Sequence, residues 1–174
     1  MKKAIFFDRD GILNKSIIID SKPYSPRTLK EFKINYFLKK YINFFKKKNF
    51  LIIVITNQPD VGSGLVSKNL VVSFNKKLKR EFLFNSLYVC YDTDNKSFFK
   101  KPNPGMLFLA KKKHNIDMSK SYFVGDRWKD MEASHRAGVR GLFVDFNYKE
   151  KKPVKYFKKF SSLYKTMIYL KKNL

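Results

Sequence analysis

The strongest constraint on the fold is a repeated arrangement in which a short, continuous apolar run stops abruptly at a small polar or acidic cluster. The run from Lys3 to Asp8 is the clearest case, with four apolar residues leading straight into Asp8-Arg9-Asp10-Gly11. Without alternation of polar and apolar residues, it reads as a strand buried on both faces, as in a parallel sheet covered by helices. Phe50 to Thr56, Leu87 to Tyr91, Ser121 to Val124 and Arg140 to Asp145 read as four further strands. Between them the apolar spacing becomes helical. Phe37, Leu38, Tyr41, Ile42 and Phe45 follow Asn35, which offers an N-cap, and Leu70, Val71, Phe74, Leu78 and Phe82 follow Ser67, which offers another. Helices are also expected through Met106, Leu107, Leu109 and Ala110, and over Asp130 to Ala137, where Gly138 ends the pattern. Alternating strands and helices predict an open, mainly parallel α/β sheet of Rossmann-like type with right-handed crossovers and helices on both faces.

At 174 residues the chain has the length of one domain, spanning 1–174. Residues 12–27 contain three consecutive Ile together with Pro23, Ser25 and Pro26, a composition that suits a flap or hairpin better than a helix. Residues 155–174 carry Phe157, Phe160, Leu163, Met167, Ile168 and Leu170 and are expected to form a closing C-terminal helix. The apolar runs are far shorter than the ~20 residues that cross a bilayer. Met1-Lys2-Lys3 leads directly into the first strand, with no small-residue cleavage site behind it. The lone Cys90 fits a reducing compartment. Together these features predict a cytoplasmic protein. The net charge of +24 raises a nucleic-acid or membrane partner. Its excess is almost all Lys, dispersed along every expected helix and accompanied by much Phe, Ile, Asn and Tyr, a pattern of biased composition rather than of one binding face.

Four polar clusters fall at the C-terminal ends of the expected strands, where open α/β sheets place their sites. They are Asp8-Arg9-Asp10-Gly11-Ile12-Leu13-Asn14, Thr56-Asn57-Gln58, Lys101-Pro102-Asn103-Pro104-Gly105, and Gly125-Asp126 with Asp130. Each has a bland reading alone: two solvated acids, turn residues, or one lysine among 32. Their coincidence is less easily dismissed. Only 14 acids occur in the chain, and four of them stand at two strand ends. His114 and His135 lie among polar residues on expected helices and are read as structural, as are Trp128 and Cys90.

In this order the clusters resemble the haloacid dehalogenase phosphatases, whose pattern is Asp-x-Asp-Gly, then Thr or Ser, then Lys, then Gly-Asp with a further Asp. The runs Phe7-Asp8-Arg9-Asp10-Gly11, Ile55-Thr56-Asn57-Gln58, Lys101-Pro102-Asn103-Pro104-Gly105-Met106 and Val124-Gly125-Asp126-Arg127-Trp128-Lys129-Asp130 are similar to the histidinol-phosphate and heptose-bisphosphate phosphatase group, and nearest to its heptose 1,7-bisphosphate 7-phosphatase branch. The resemblance implies a haloacid dehalogenase-like fold with no large cap domain. It also implies hydrolysis of a phosphate monoester on a small sugar through an aspartyl-phosphate. Histidinol phosphate is the alternative substrate in the same chemistry, and a polynucleotide 3′-phosphatase the alternative suggested by charge.

On this resemblance Asp8 is the nucleophile and Asp10 the general acid and base. Mg²⁺ is held by the Asp8 carboxylate, the Asp10 backbone carbonyl and Asp126. Thr56, the Asn57 backbone N–H and Lys101 hold the transferring phosphoryl group. Asp130 belongs to the supporting shell, Asn14 to that shell or to the substrate contacts, and Arg9 and Lys100 to outer substrate contacts. Two departures stand out. Relatives often have a zinc loop with four Cys or His ligands, whereas the corresponding positions here are Cys90, Asp92, Ser97 and Phe99, so loop 92–101 is a degenerate zinc-type loop and no structural Zn²⁺ is expected. Its support is then expected from Phe98 and Phe99 packed on the core. Ser63 stands where relatives tend to have Arg. The expected partner is a small phosphorylated molecule met by a monomer, with no specific nucleic acid and no membrane.

Overall fold

The structure, a computed structural model, describes residues 1–174. Its main sheet has six strands, all paired in parallel: β1 (Lys3–Phe7), β4 (Phe50–Asn57), β5 (Ser86–Cys90), β6 (Tyr122–Gly125), β7 (Arg140–Val144) and β8 (Lys158–Phe160), in the order β5-β4-β1-β6-β7-β8. Between β4 and β6, β1 sits at the centre in a register that sets Phe7 beside both Val54 and Val124. The continuous apolar run of β1 now has its explanation: Ile5 and Phe7 enter one core layer, Ala4 and Phe6 the other, and all four are fully buried.

One face is covered by α1 (Leu38–Lys47), α3 (Lys68–Phe82) and α6 (Leu163–Asn173), which contribute Tyr41, Phe45, Phe74, Leu78, Met167 and Leu170 to its core. The opposite face is covered by α4 (Gly105–His114) and α5 (Trp128–Arg136), which supply Met106, Leu107 and Ala133. A single turn, α2 (Pro59–Gly62), follows β4. Inserted after β1 is only a hairpin, β2 (Ile17–Ile19) and β3 (Lys22–Tyr24), so the fold carries no large cap. The turn residues Asp20 and Ser21 both take positive φ, as primed hairpin turns require. No helix is long and apolar enough to cross a membrane.

Two expectations need correction. Asn35 does not cap α1, which starts at Leu38 behind Phe37 with no side-chain cap. Its amide instead donates to the Ile12 carbonyl at 2.7 Å, joining the chain before α1 to the loop after β1. The tail is not helical from residue 155. Lys158–Phe160 adds a sixth strand beside β7, whose outer edge would otherwise lack a partner, and Ser162 then caps α6 by accepting from the Lys165 N–H at 3.2 Å.

Candidate active site

Because β1, β4 and β6 are neighbours, the residues that follow them converge at one end of the sheet. Asp8 leaves β1, Thr56 and Asn57 end β4, and Asp126 follows Gly125 at the end of β6. Lys101 arrives from the loop between β5 and α4, and Asp130 lies in the first turn of α5. Asp8, Thr56, Lys101, Asp126 and Asp130 are all buried.

Lys101 organises one half of the cleft. Its Nζ donates to Asp8 Oδ1 at 2.8 Å, Asp130 Oδ1 at 2.6 Å and the Ile55 carbonyl at 3.1 Å, which uses all three protons. The other oxygen of Asp130 accepts the Arg127 N–H at 3.0 Å and closes the capping box of α5. Asp130 is thus spoken for on both oxygens. Gly125 is required nearby, since a β-carbon there would run into the Asp130 side chain.

Asp8 Oδ1 takes a second donor, the Arg9 N–H, at 2.7 Å. Its Oδ2 has no protein donor. Asp126 is similarly lopsided: Oδ2 accepts from Tyr148 Oη at 2.9 Å, while Oδ1 is buried with no partner at all. A β-carbon on Gly11, which has φ +85°, would collide with the Asp126 carboxylate, so Gly is needed for both conformation and space. Carboxylate oxygens of Asp8, Asp126 and Asp130 lie within 4.8 Å of one another. With Asp130 engaged, the spare oxygens belong to Asp8 and Asp126. Such a hard, all-oxygen set with an orphaned buried acceptor fits a magnesium-type cation.

The electrostatics agree. Burial, then the charge of Asp130, pushes the Asp8 carboxyl up to about 7 against the opposing pull of Lys101. Burial and the charges of Asp8 and Asp130 raise Asp126 well above the usual range. Burial alone would lower Lys101, but Asp130 and Asp8 more than reverse it, so its ammonium stays charged.

The other half of the cleft is built round Asp10. It accepts from Arg9 Nε at 3.1 Å, Arg9 Nη2 at 3.0 Å, Asn14 Nδ2 at 2.9 Å, Ser25 Oγ at 2.8 Å and Gln58 Nε2 at 2.7 Å. Burial would raise this carboxyl, yet Arg9, Asn14, Gln58 and Ser25 together lower it. Arg9 needs correction as an outer substrate contact. It is 0% exposed, and its guanidinium also reaches Asn75 Oδ1 at 3.2 Å and Gln58 Oε1 at 2.8 Å. It therefore supports Asp10 from below instead of facing the mouth.

The remaining expected residues are brought together too. The Thr56 hydroxyl accepts from Gln58 Nε2 at 3.0 Å. The Asn57 side chain clamps the Lys101 backbone in both directions, at 2.9 and 3.0 Å, and so fixes the loop that delivers the ammonium. Lys100 is buried with Nζ on the Thr93 carbonyl at 2.5 Å, and it lines an adjoining cavity rather than the cleft itself. Loop 92–101 is closed by a hydrogen bond from Ser97 to Asp92 and by Asn103 Nδ2 on the Ser97 carbonyl at 2.9 Å. Phe98 and Phe99 do not pack into the core as expected: both are exposed, with Phe98 against Phe99 and Phe108.

Gln58, Ser25, Asn75 and Tyr148 are the site residues that sequence reasoning did not assign. Asn75 did leave a signal, as a polar residue beside the apolar stripe of α3. Tyr148 left none, being one of ten tyrosines in a loop.

Fold and site together define a haloacid dehalogenase-like hydrolase. The HAD-hydrolase-like family model matches residues 98–159. The chain is 30% identical, over 83% of its length and 82% of the relative's, to the D-glycero-beta-D-manno-heptose-1,7-bisphosphate 7-phosphatase of Pasteurella multocida. It is 29% identical to the D-glycero-alpha-D-manno-heptose-1,7-bisphosphate 7-phosphatase of Campylobacter jejuni, over 97% of this chain and 96% of that one. The chain belongs to this heptose-bisphosphate phosphatase family. A D,D-heptose 1,7-bisphosphate phosphatase from B. bronchiseptica, solved with magnesium and phosphate, superposes with a TM-score of 0.83 over 99% of both chains at 20% identity, a likeness of fold.

Proposed function

We propose that the chain is a magnesium-dependent phosphatase that removes the 7-phosphate of D-glycero-D-manno-heptose 1,7-bisphosphate through an aspartyl-phosphate on Asp8. The observation that carries this reading is the pair of spare oxygens, on Asp8 and Asp126, beside a buried and fully engaged Lys101. Family membership supplies the substrate. Phosphate monoesters resist attack because their own charge repels a nucleophile, so a site for them must combine an in-line nucleophile with concentrated positive charge.

Asp8 attacks phosphorus, and the bond from phosphorus to the sugar oxygen breaks. Asp10 protonates the leaving alkoxide. It then takes a proton from the water that splits the aspartyl-phosphate, which returns Asp8 and releases inorganic phosphate. Arg9, Gln58, Asn14 and Ser25 hold Asp10 ionised in the free site, which suits its role as base in the second half. The proton for the first half enters with the monoanion of the substrate, whose second pKa is about 6. Thr56 and the Asn57 N–H bind the phosphoryl oxygens, while Lys101, whose three protons are already placed, exchanges its Ile55 carbonyl contact for a phosphoryl oxygen and offsets the charge on Asp8. The Asp8 carboxylate, the Asp10 carbonyl and Asp126 would hold Mg²⁺, which when bound supplies positive charge against phosphate and nucleophile together.

A phosphate-release screen with heptose 1,7-bisphosphate, histidinol phosphate and a 3′-phosphorylated oligonucleotide, at physiological salt, tests the reading. The highest kcat/KM is expected for the heptose bisphosphate. Nonspecific oligonucleotide binding at low salt is expected from charge alone and should fade steeply as salt rises. A higher kcat/KM for the oligonucleotide would reverse the assignment.

A further inference from the structure

Lysines dispersed along every helix look in sequence like biased composition, but the topology gathers many of them at one end of the molecule. The strands of the main sheet are all parallel, so each long helix that follows a strand returns to the end of the sheet opposite the catalytic cleft. There α1 ends in Lys46 and Lys47, α3 in Lys79 and Arg80, α4 in Lys111 to Lys113, and α6 in Lys171 and Lys172. Contacts tie these ends together. Lys46 Nζ donates at 3.2 Å to the carbonyl of Leu83, which closes α3, and Lys171 Nζ lies 5.7 Å from the centre of the Phe44 ring on α1. The Lys2 N–H donates at 2.8 Å to the carbonyl of Asn115, which closes α4.

The acids are sorted the other way. Of the 14, all but Glu81, Asp117 and Glu132 lie in the loops, hairpin or first helical turns that follow strand ends, and these three are taken by Lys39, Lys120 and Arg136. A helix dipole favours cations in a last turn, but its influence stops there, and Lys2, Lys3 and Lys155 of the same end lie outside any helix. Apolar side chains stand among these cations. Met1 is 81% exposed, Leu83 57% and Val154 84%. Val154 lines a hollow with Phe157 and with Gly138, Val139 and Arg140, the turn that leads into β7.

We propose that this end of the molecule docks on an anionic lipid bilayer, with Met1, Leu83 and Val154 entering the headgroup layer and the surrounding lysines meeting lipid phosphates, so that the catalytic cleft faces the water. The inference goes beyond the phosphatase reading and does not depend on it. Ammonium groups within a Debye length of the surface, about 10 Å at 0.1 M salt, each add attraction to anionic lipid. A bilayer suits the face better than a nucleic acid, because its rings are already engaged: Tyr156 packs on Phe143, and Phe157 meets Tyr122 and the Arg140 guanidinium. Bases would need bare ring faces to stack on, whereas aliphatic tips ringed by lysine need only an interface to enter.

The test is co-sedimentation of the full chain with vesicles of phosphatidylglycerol and phosphatidylcholine at physiological salt. Wild type is expected to sediment with these vesicles and to stay in solution with phosphatidylcholine alone. Lys47→Gln with Lys112→Gln and Lys172→Gln should weaken the partition about tenfold or more. Leu83→Asn with Val154→Asn, both at exposed positions, should weaken it about threefold or more. A control with the same change of charge, Lys30→Gln with Lys33→Gln and Lys68→Gln, alters exposed residues ahead of α1 and at the start of α3 and should stay within about twofold of wild type. Every variant should keep wild-type turnover of an aryl phosphate, which shows that it is folded. Because Cys90 is buried, an environment-sensitive dye can be placed on Val154→Cys, where its emission should shift to the blue on vesicles, and on Lys30→Cys, where it should not. No sedimentation of wild type, or equal losses in the two lysine triples, would overturn the docking face. A single-stranded oligonucleotide that displaces the vesicles, and whose own binding falls with the Leu83 and Val154 pair, would overturn it in favour of nucleic acid.

Discussion

The two halves of the cleft use the same residue type to opposite ends. Around Asp10, one carboxylate meets five side-chain donor contacts from Arg9, Asn14, Ser25 and Gln58 and lies below its ordinary range. Around Lys101, three buried carboxylates gather, but only Asp8 and Asp130 bond its ammonium, and Asp8 and Asp126 are raised. In the first half Asp10 is fully partnered as folded. The second is short of positive charge and of donors, and a cation on the spare oxygens of Asp8 and Asp126 would offset the first and stand in for the second. Buried carboxylates without enough partners cost stability, so the deficit marks the half that binds.

The largest expected effect falls on turnover. Asp8→Asn should lower kcat by more than about 10⁴-fold, in line with loss of a covalent nucleophile. It should leave the protein folded and raise its melting temperature without metal above pH 7, since it removes a disfavoured charge. Substantial activity in this variant, or label from substrate trapped on any other residue, would place the nucleophile elsewhere.

The complete half predicts a loss of stability instead. Arg9→Met leaves Asp10 buried without its cation and breaks the links to Gln58 and Asn75, so denaturant unfolding should show a cost of about 3–5 kcal/mol. A cost below about 1 kcal/mol would mean that the guanidinium does not hold Asp10 in place.

The halves should also respond oppositely to pH. With its pKa raised to about 7 from an unfolded value of 3.8, Asp8 binds protons better folded than unfolded. Its contribution is therefore present in acid and lost as pH rises through about 7, whereas that of Asp10, lowered in the fold, is present above its unfolded value and lost in stronger acid. Saturating Mg²⁺ should accordingly raise the melting temperature more at pH 8 than at pH 5, by roughly 5 °C. An equal gain at both values would remove Asp8 and Asp126 from the metal site. The smallest effect concerns Tyr148→Phe, which frees Asp126 Oδ2 from its donor. Calorimetry should report Mg²⁺ affinity weakened about tenfold with little change in unfolding, and an unchanged affinity would make Tyr148 a packing residue only.

Much of this arrangement is legible in sequence, because buried parallel strands need unbroken apolar runs and the chemistry gathers where those runs stop. Lys3–Phe7 and Phe50–Asn57 announce themselves in this way, as do the clusters at Asp8 and Asp126. Lys158–Phe160 does not, since a three-residue strand with two lysines has no pattern and exists only because β7 offers an edge. The role of Arg9 was hidden for a different reason. Beside a nucleophile an arginine looks like a substrate contact, and only the approach of Asn75 and Gln58 from distant segments shows that it faces inward. The exposure of Phe98 and Phe99 likewise depends on how loop 92–101 folds against α4, which no local spacing records.

The Lys101 ammonium joins residues 93 and 29 positions away along the chain. Bonds across such distances bear on how the molecule acquires activity during synthesis, because no short segment holds even a partial version of them. Until the segment carrying Asp126 and Asp130 has emerged and docked, Lys101 lacks its Asp130 partner, and water competes for both it and Asp8. The emerging chain is thus expected to become competent in one late step, with no partly active nascent form before it.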